Sequence, residues 1–203
     1  MLKNLIVLIA CILGVCACKP KEYSPSEYVQ WIKNPANGLL LTKEVGDYAV
    51  RLQYKPHEYL ALLDSKGETL SDADFETLSH SYEGMSYYNL GISLRDKSKD
   101  ILKEGIQNPN DYFQRVNYFS FKVGANINAI SGLDTLPCKL CHFERNYGLS
   151  PDCNLSIGFE RQLDPNKPLR IIYDDEILGI GKVEFNISNT ALTKLPTLKN
   201  KHQ

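Results

Sequence analysis

The segment LLLTKEVGDYAVRLQY, residues 39 to 54, constrains the fold of this chain more than any other. In its second half the apolar residues Tyr48, Val50 and Leu52 occupy every second position. This period of two is typical of a strand that buries one face. Gly46 supplies the positive φ that a two-residue turn requires. The pattern therefore predicts an antiparallel β-hairpin.

The rest of the chain divides into short helix and strand patterns. The string SPSE at 24–27 is a capping box with Pro25 at the first helical position, so it predicts the start of a helix. Helical periodicity continues through residues 56–63, 72–82, 97–103 and, from Asn108-Pro109, through Val116. Strand alternation occurs at residues 88–94, 119–123, 155–159, 169–173 and 183–187.

These patterns predict a single α+β domain over residues 24–192, with a mainly antiparallel β-sheet and several short helices. No repeat and no linker interrupts it. The tail, residues 193–203, is rich in Lys and is expected to be frayed.

The N-terminal residues carry the features of an export signal. A single base is followed by an unbroken apolar run at residues 5–15, which is short for a bilayer span. The tetrapeptide VCAC at 15–18 resembles the bacterial lipobox, in which the last Cys is acylated and becomes the mature N-terminus. The resemblance implies a signal peptide at 1–17, lipidation of Cys18, and a short tether at 18–23.

This N-terminus sets the expected location and partners. Two or more acyl chains suffice for stable anchoring, so we expect a membrane-anchored lipoprotein of the bacterial cell envelope, at the outer membrane. The partners are then the membrane and a second envelope protein. Removing residues 1–17 takes away only Lys3 of 23 basic residues and leaves all 24 acidic ones. Without a basic stripe, we predict no nucleic-acid partner.

The string LPCKLCHFER at 136–145 is the one segment that resembles a chemical site. C-x-x-C-H is the c-type haem attachment pattern, in which Cys138 and Cys141 would bind the haem vinyl groups and His142 would ligate the iron. The surrounding sequence differs from that of small c-type cytochromes, because no Met follows as a distal ligand and the next residues lack a helical period. A monohaem electron-transfer lipoprotein with covalent haem c is therefore the alternative function.

Two zinc hypotheses explain the same segment less well. Nucleobase deaminases use H-x-E with P-C-x-x-C well downstream, whereas here the two halves abut in the reverse order. A structural zinc held by Cys138, Cys141, His142 and Cys153 would require two adjacent residues to ligate, which is sterically unfavourable. We predict no metal site and no cofactor.

The remaining hypotheses for the cysteines are redox and structural. A thioredoxin-type redox pair requires C-x-x-C at the start of a helix after a buried strand, and no such frame surrounds Cys138 and Cys141. The preferred interpretation is a disulfide between Cys153 and one of these two, worth about 3 kcal/mol. It leaves one thiol free, and the sequence does not fix the connectivity.

Other candidate motifs are incomplete, and we predict no catalytic residue. HEYLA at 57–61 begins like the zincin H-E-x-x-H, but Ala61 stands where the second His is needed. DDE at 174–176 lies between two strands and is expected to be a solvated turn. The aromatic residues of 112–121 could stack on a sugar, although core packing is their commoner role.

The strings SPSEYVQWIKNPANGL at 24–39 and CHFERNYGLSP at 141–151 resemble uncharacterised lipoproteins of gliding and gut Bacteroidota-type bacteria. The resemblance carries no activity, ligand or catalytic residue. It implies that residues 142–148 belong to the framework of the fold, where His142, Glu144, Arg145 and Tyr147 hold a buried loop by hydrogen bonds. The preferred function is binding or assembly at the envelope rather than catalysis.

Overall fold

The predicted hairpin is present in the computed structural model of this protein. Its arms, Leu40–Val45 and Tyr48–Lys55, pair antiparallel, and Gly46 has a φ of 57°. The structure describes residues 21–68, 70–96, 99–145, 149–160 and 167–199. The predicted signal peptide, Cys18 and Tyr147 lie outside these residues.

The described residues form eleven strands and five α-helices. In chain order the strands are β1 (Glu22–Tyr23), β2 (Leu40–Val45), β3 (Tyr48–Lys55), β4 (Met85–Leu94), β5 (Ile127–Ser131), β6 (Asp134–Pro137), β7 (Leu140–Glu144), β8 (Cys153–Glu160), β9 (Leu169–Asp174), β10 (Lys182–Ile187) and β11 (Thr197–Leu198). The helices are α1 (Pro25–Lys33), α2 (His57–Asp64), α3 (Asp72–His80), α4 (Pro109–Phe121) and α5 (Asn189–Thr193), with 3-10 turns at Pro35–Asn37 and Val123–Asn126.

Two antiparallel sheets form the body of the protein. The first has the strand order β2-β3-β4-β8-β7, and the second has the order β10-β9-β5-β6. The two-residue strands β1 and β11 pair in parallel beside them. The fold is therefore α+β with mainly antiparallel sheets, as the sequence predicted.

One apolar cluster fills the space between the two sheets. Alternate residues of the central strands point into it, including Val50, Leu52, Leu90, Ile92, Leu155 and Ile157. Tyr173 of β9 and Phe119 of α4 belong to the same cluster. Because burying one large apolar side chain contributes about 1.5–3 kcal/mol, this cluster dominates the stability of the fold.

A second apolar cluster packs the first three helices against the end of the described chain. Tyr28 of α1, Tyr59 of α2, Phe75 of α3 and Leu198 of β11 are members. α1 begins at the predicted capping box, where the Glu27 carboxylate accepts from the backbone N–H of Ser24 at 2.9 Å. Within the part of the chain that the structure describes, no helix has the length and apolarity to cross a membrane.

Three local predictions were wrong. Residues 119–121 end α4 instead of starting a strand, because the helical hydrogen bonds continue to the N–H of Lys122, which donates to Tyr118 O at 2.8 Å. Residues 101–105, within or next to a predicted helix, form only turns. Thr197–Leu198, expected to be frayed, pairs with Glu22–Tyr23.

Candidate functional site

Cys138 and Cys141 lie where the chain passes from one sheet to the other. The N–H of Cys138 donates to Ile127 O of β5 at 3.2 Å, and the N–H of Lys139 donates to Gly158 O of β8 at 2.9 Å. Consecutive residues therefore bind different sheets. A segment that bends between two packed sheets in this way forms a corner of the β-structure.

The bend at Lys139 brings the two thiols together. In a regular strand, residues three apart point to opposite faces, so an unbent segment would separate Cys138 from Cys141. Here the two side chains lie close enough for each to shift the pKa of the other, and the Cys138 thiol donates to Leu140 O at 2.9 Å. Both thiols are half-buried.

Gly124, in the 3-10 turn after α4, makes room for Cys141. A Cβ at Gly124 would lie 3.0 Å from the Cβ of Cys141 and 3.7 Å from its Sγ. The absent side chain therefore allows the turn to pack directly on β7.

The surroundings shift the pKa values of the three thiols in different directions. The hydrogen bond with Cys141 lowers the pKa of Cys138; burial opposes this, and backbone hydrogen bonds add to it. The same side-chain hydrogen bond, together with burial, raises the pKa of Cys141. Burial raises the pKa of Cys153. The thiolate is the reactive form, and Cys138 is the one of the three thiols whose surroundings favour it.

Cys153 lies far from the other two thiols. Cys141 is opposite Ile157, which is four residues from Cys153 along β8, a separation of about 13 Å at roughly 3.3 Å per residue. A disulfide requires Cα atoms within about 7 Å. The register is therefore incompatible with the Cys141–Cys153 disulfide, and Cys138 lies farther away still, next to Gly158. Cys153 instead packs in the main apolar cluster.

His142 is exposed on β7, which is the edge strand of the five-stranded sheet. Its neighbours Cys141 and Phe143 face inward, since side chains alternate along a strand. The prediction that this segment is a buried loop was wrong, because pairing of Leu140–Glu144 with β8 makes it a strand with a solvent-facing side.

The predicted polar contacts of this segment are made on its exposed side. Glu144 Oε1 accepts from the Ser156 hydroxyl at 2.8 Å. Arg145 Nη2 donates to Ser120 Oγ at 3.3 Å, which ties the end of β7 to α4. Both contacts are exposed and hold neighbouring elements at the surface.

The residues of the haem and zinc hypotheses are only partly brought together. Cys138 and Cys141 are in contact, but Cys141 and His142 point to opposite faces of the strand. Two further histidines that could serve as the distal iron ligand lie in helices: His57 Nε2 is 3.1 Å from Met85 O, and His80 Nδ1 is 2.8 Å from Glu83 Oε1. Across the described ranges, no cluster of three or more His, Cys, Asp or Glu side chains is placed to hold a metal ion. Covalent haem stays an untested alternative.

Asp175 organises the turn between β9 and β10. Its Oδ1 accepts from the Tyr173 hydroxyl at 2.8 Å, and its Oδ2 accepts from the N–H groups of Leu178 and Ile180, both at 2.9 Å. The sequence predicted a turn here, and the structure adds that this carboxylate is bound internally. Its role is structural.

Two open grooves border α4. The first, of about 540 Å³, lies between the end of α4 and β7 and is lined by Ser120, Phe121, Cys141, His142, Phe143 and Arg145. The second, of about 470 Å³, includes Phe113, Asn117 and Ile177. α4 therefore presents one phenylalanine to each groove.

Phe113 and Phe121 differ from the other phenylalanines of the chain. Phe113 is 65 % exposed and Phe121 is 79 % exposed, whereas the other five are buried: Phe75, Phe119, Phe143, Phe159 and Phe185. The exposed pair is eight residues apart, with Asn117 midway, so all three follow one side of the helix. Sequence reasoning missed this surface. The sequence pattern that could have revealed it is the set of polar residues on the same side of the helix, Asn110, Gln114 and Asn117.

Comparisons with known proteins show one distant structural neighbour. No protein-family model matches the chain, and no curated protein matches it. A crystal structure of a DUF4426 family protein from Pseudomonas aeruginosa is similar over 73 % of this chain and 91 % of that one, with 10 % identity and a TM-score of 0.38. At that TM-score the likeness transfers no property to this protein.

Proposed function

We propose that this protein is a lipid-anchored component of the bacterial cell envelope that binds a partner protein through Phe113 and Phe121. Its role is binding or assembly, without catalysis. The observation that carries the proposal is that these two phenylalanines face water while the other five are packed. Burying one aromatic side chain at an interface gains about 1.5–3 kcal/mol, and aromatic residues are enriched at such interfaces.

The anchoring part rests on the sequence and on where the fold begins. The VCAC string resembles a lipobox whose acylated residue would be Cys18, and β1 starts at Glu22. Four residues span at most about 14 Å when fully extended. Acyl chains on Cys18 would therefore keep β1, and β11 paired with it, close to the membrane surface.

The grooves beside the two phenylalanines specify the chemistry of the partner. Each groove combines an aromatic side chain with polar groups, such as Arg145 in one and Asn117 in the other. Such a surface suits a polypeptide that presents apolar side chains flanked by hydrogen-bonding groups. The partner is accordingly an envelope protein.

Site-specific photo-crosslinking in intact cells tests this proposal. A photoreactive phenylalanine analogue is placed at 113, at 121, or at the control position Leu133, which is fully exposed at the tip of the β5–β6 hairpin and lines neither groove. We expect adducts from 113 and 121 to one and the same envelope protein, and none from 133. An equal adduct from 133, or different proteins captured from 113 and 121, would contradict the proposed surface.

A further inference from the structure

We propose that Cys138 and Cys141 form a thiol–disulfide exchange site, which closes into an intramolecular disulfide by reaction with an external disulfide. The exchange does not depend on partner binding at Phe113 and Phe121, although Cys141 and Phe121 line the same groove. It rests on the contact between the two thiols at the corner between the sheets, and it excludes Cys153.

The corner places the two cysteines for this reaction. Cys138 is bound to β5 through its N–H, and Cys141 is paired with Ile157 of β8. Because the bend at Lys139 already brings the two side chains together at the start of β7, closing the disulfide requires no change of strand register.

Both thiols are accessible enough to react. Each is half-buried, and Cys141 lines the groove that also contains Phe121 and Arg145. Cys153 is 1 % exposed in the main apolar cluster. An external disulfide can therefore reach the pair but not the third thiol.

The exchange proceeds in two balanced steps. The Cys138 thiolate attacks one sulfur of the external disulfide, so a mixed disulfide forms and one external thiolate leaves. Cys141 then loses its proton and attacks the Cys138 sulfur, which forms the Cys138–Cys141 bond and releases the second external thiolate. Two electrons pass to the external disulfide, and the two protons end on the released thiols.

The opposite pKa shifts of Cys138 and Cys141 fix the order of the two steps. Cys138 has the lowered pKa and attacks first, whereas Cys141 has the raised pKa and resolves the mixed disulfide. A Cys141→Ser protein should therefore stop at the mixed disulfide on Cys138. A Cys138→Ser protein should react far more slowly.

Peptide mapping of the full-length protein tests the site. The protein is equilibrated with excess glutathione disulfide, quenched with iodoacetamide and digested with trypsin. Lys139 lies between the two cysteines, so cleavage there separates peptides 123–139 and 140–145 unless a disulfide joins them, and Cys153 falls in peptide 146–161. We expect the first two peptides to be joined, to separate on reduction, and peptide 146–161 to be recovered alkylated.

The control variant is Cys153→Ser, which should give the same joined peptides at the same rate. A mixed disulfide that accumulates in Cys141→Ser but not in Cys138→Ser confirms the order of attack. Alkylated, separate peptides 123–139 and 140–145 after equilibration, or either one joined to 146–161, would overturn the proposal.

Discussion

The side chains of Cys138 and Cys141 lie together although the two residues are three positions apart, in a segment that leaves one strand and enters another. The contact exists because the chain bends at Lys139, where its backbone bonding changes from β5 to β8. The thiol pair is thus a product of the corner that joins the two sheets. Changes that disturb this corner should disturb the pair.

Gly124→Ala should destabilise the corner. The added Cβ would lie 3.0 Å from the Cβ of Cys141, and such overpacking costs about 1–3 kcal/mol. Urea unfolding measures the change in the free energy of unfolding. The matched control is Ala125→Ser, an exposed position in the same turn, which should change it by less than about 0.5 kcal/mol. Equal stability of Gly124→Ala and the control would contradict the close packing.

Asp175→Ala should destabilise the β9–β10 turn. It removes the acceptor of the Tyr173 hydroxyl and of the N–H groups of Leu178 and Ile180, at a cost of about 2–4 kcal/mol for the unpaired groups. Thermal unfolding measures this, with the exposed neighbour variant Asp174→Ala as the control. If Asp174→Ala lowers the stability as much as Asp175→Ala does, the Asp175 carboxylate does not hold this turn.

Phe113→Ser and Phe121→Ser should leave stability nearly unchanged. Both side chains face water, so each variant should alter the free energy of unfolding by about 0.5 kcal/mol or less. Phe119→Ala, on the buried side of the same helix, should cost about 3–5 kcal/mol. Urea unfolding of the three proteins gives the comparison. A large loss in either serine variant would show that these side chains serve the fold instead of a partner.

As the pH is raised, the alkylation rates of the reduced thiols should rise one after another in a defined order. A lower pKa gives more thiolate at a given pH, so the alkylation rate of Cys138 should rise at a lower pH than that of Cys141, whose pKa is raised. Cys153 should react only on unfolding, because burial both shields it and raises its pKa. The rates are read from the three tryptic peptides across pH. The reverse order for Cys138 and Cys141 would contradict the lowered pKa of Cys138 and the raised pKa of Cys141.

Local patterns predicted the elements that depend on nearby residues. The hairpin at Gly46, the capping box at Ser24 and the helix start at Asn108 are present, because turn and cap geometry is set within a few residues. β4, β8, β9 and β10 also matched, since each buries one face in the main cluster and so alternates.

The candidate site depended on contacts that the sequence does not show. β5, β6 and β7 were missed because their strands are short, and β7 has only Cys141 and Phe143 facing inward. The bend at Lys139, which brings the thiols together, arises from pairing with two different sheets. Likewise, the exposure of Phe121 became visible only once α4 was known to extend through it.

The most direct test of the central claim is the mass and N-terminus of the mature protein isolated from membranes. The account predicts that the chain begins at Cys18, carries acyl groups on that residue and enters the detergent phase on phase separation. Cys18→Ser should abolish acylation and detergent partition, whereas Cys16→Ser should retain both. A mature chain that begins at another residue, or that carries no acyl group while remaining in the aqueous phase, would contradict the account.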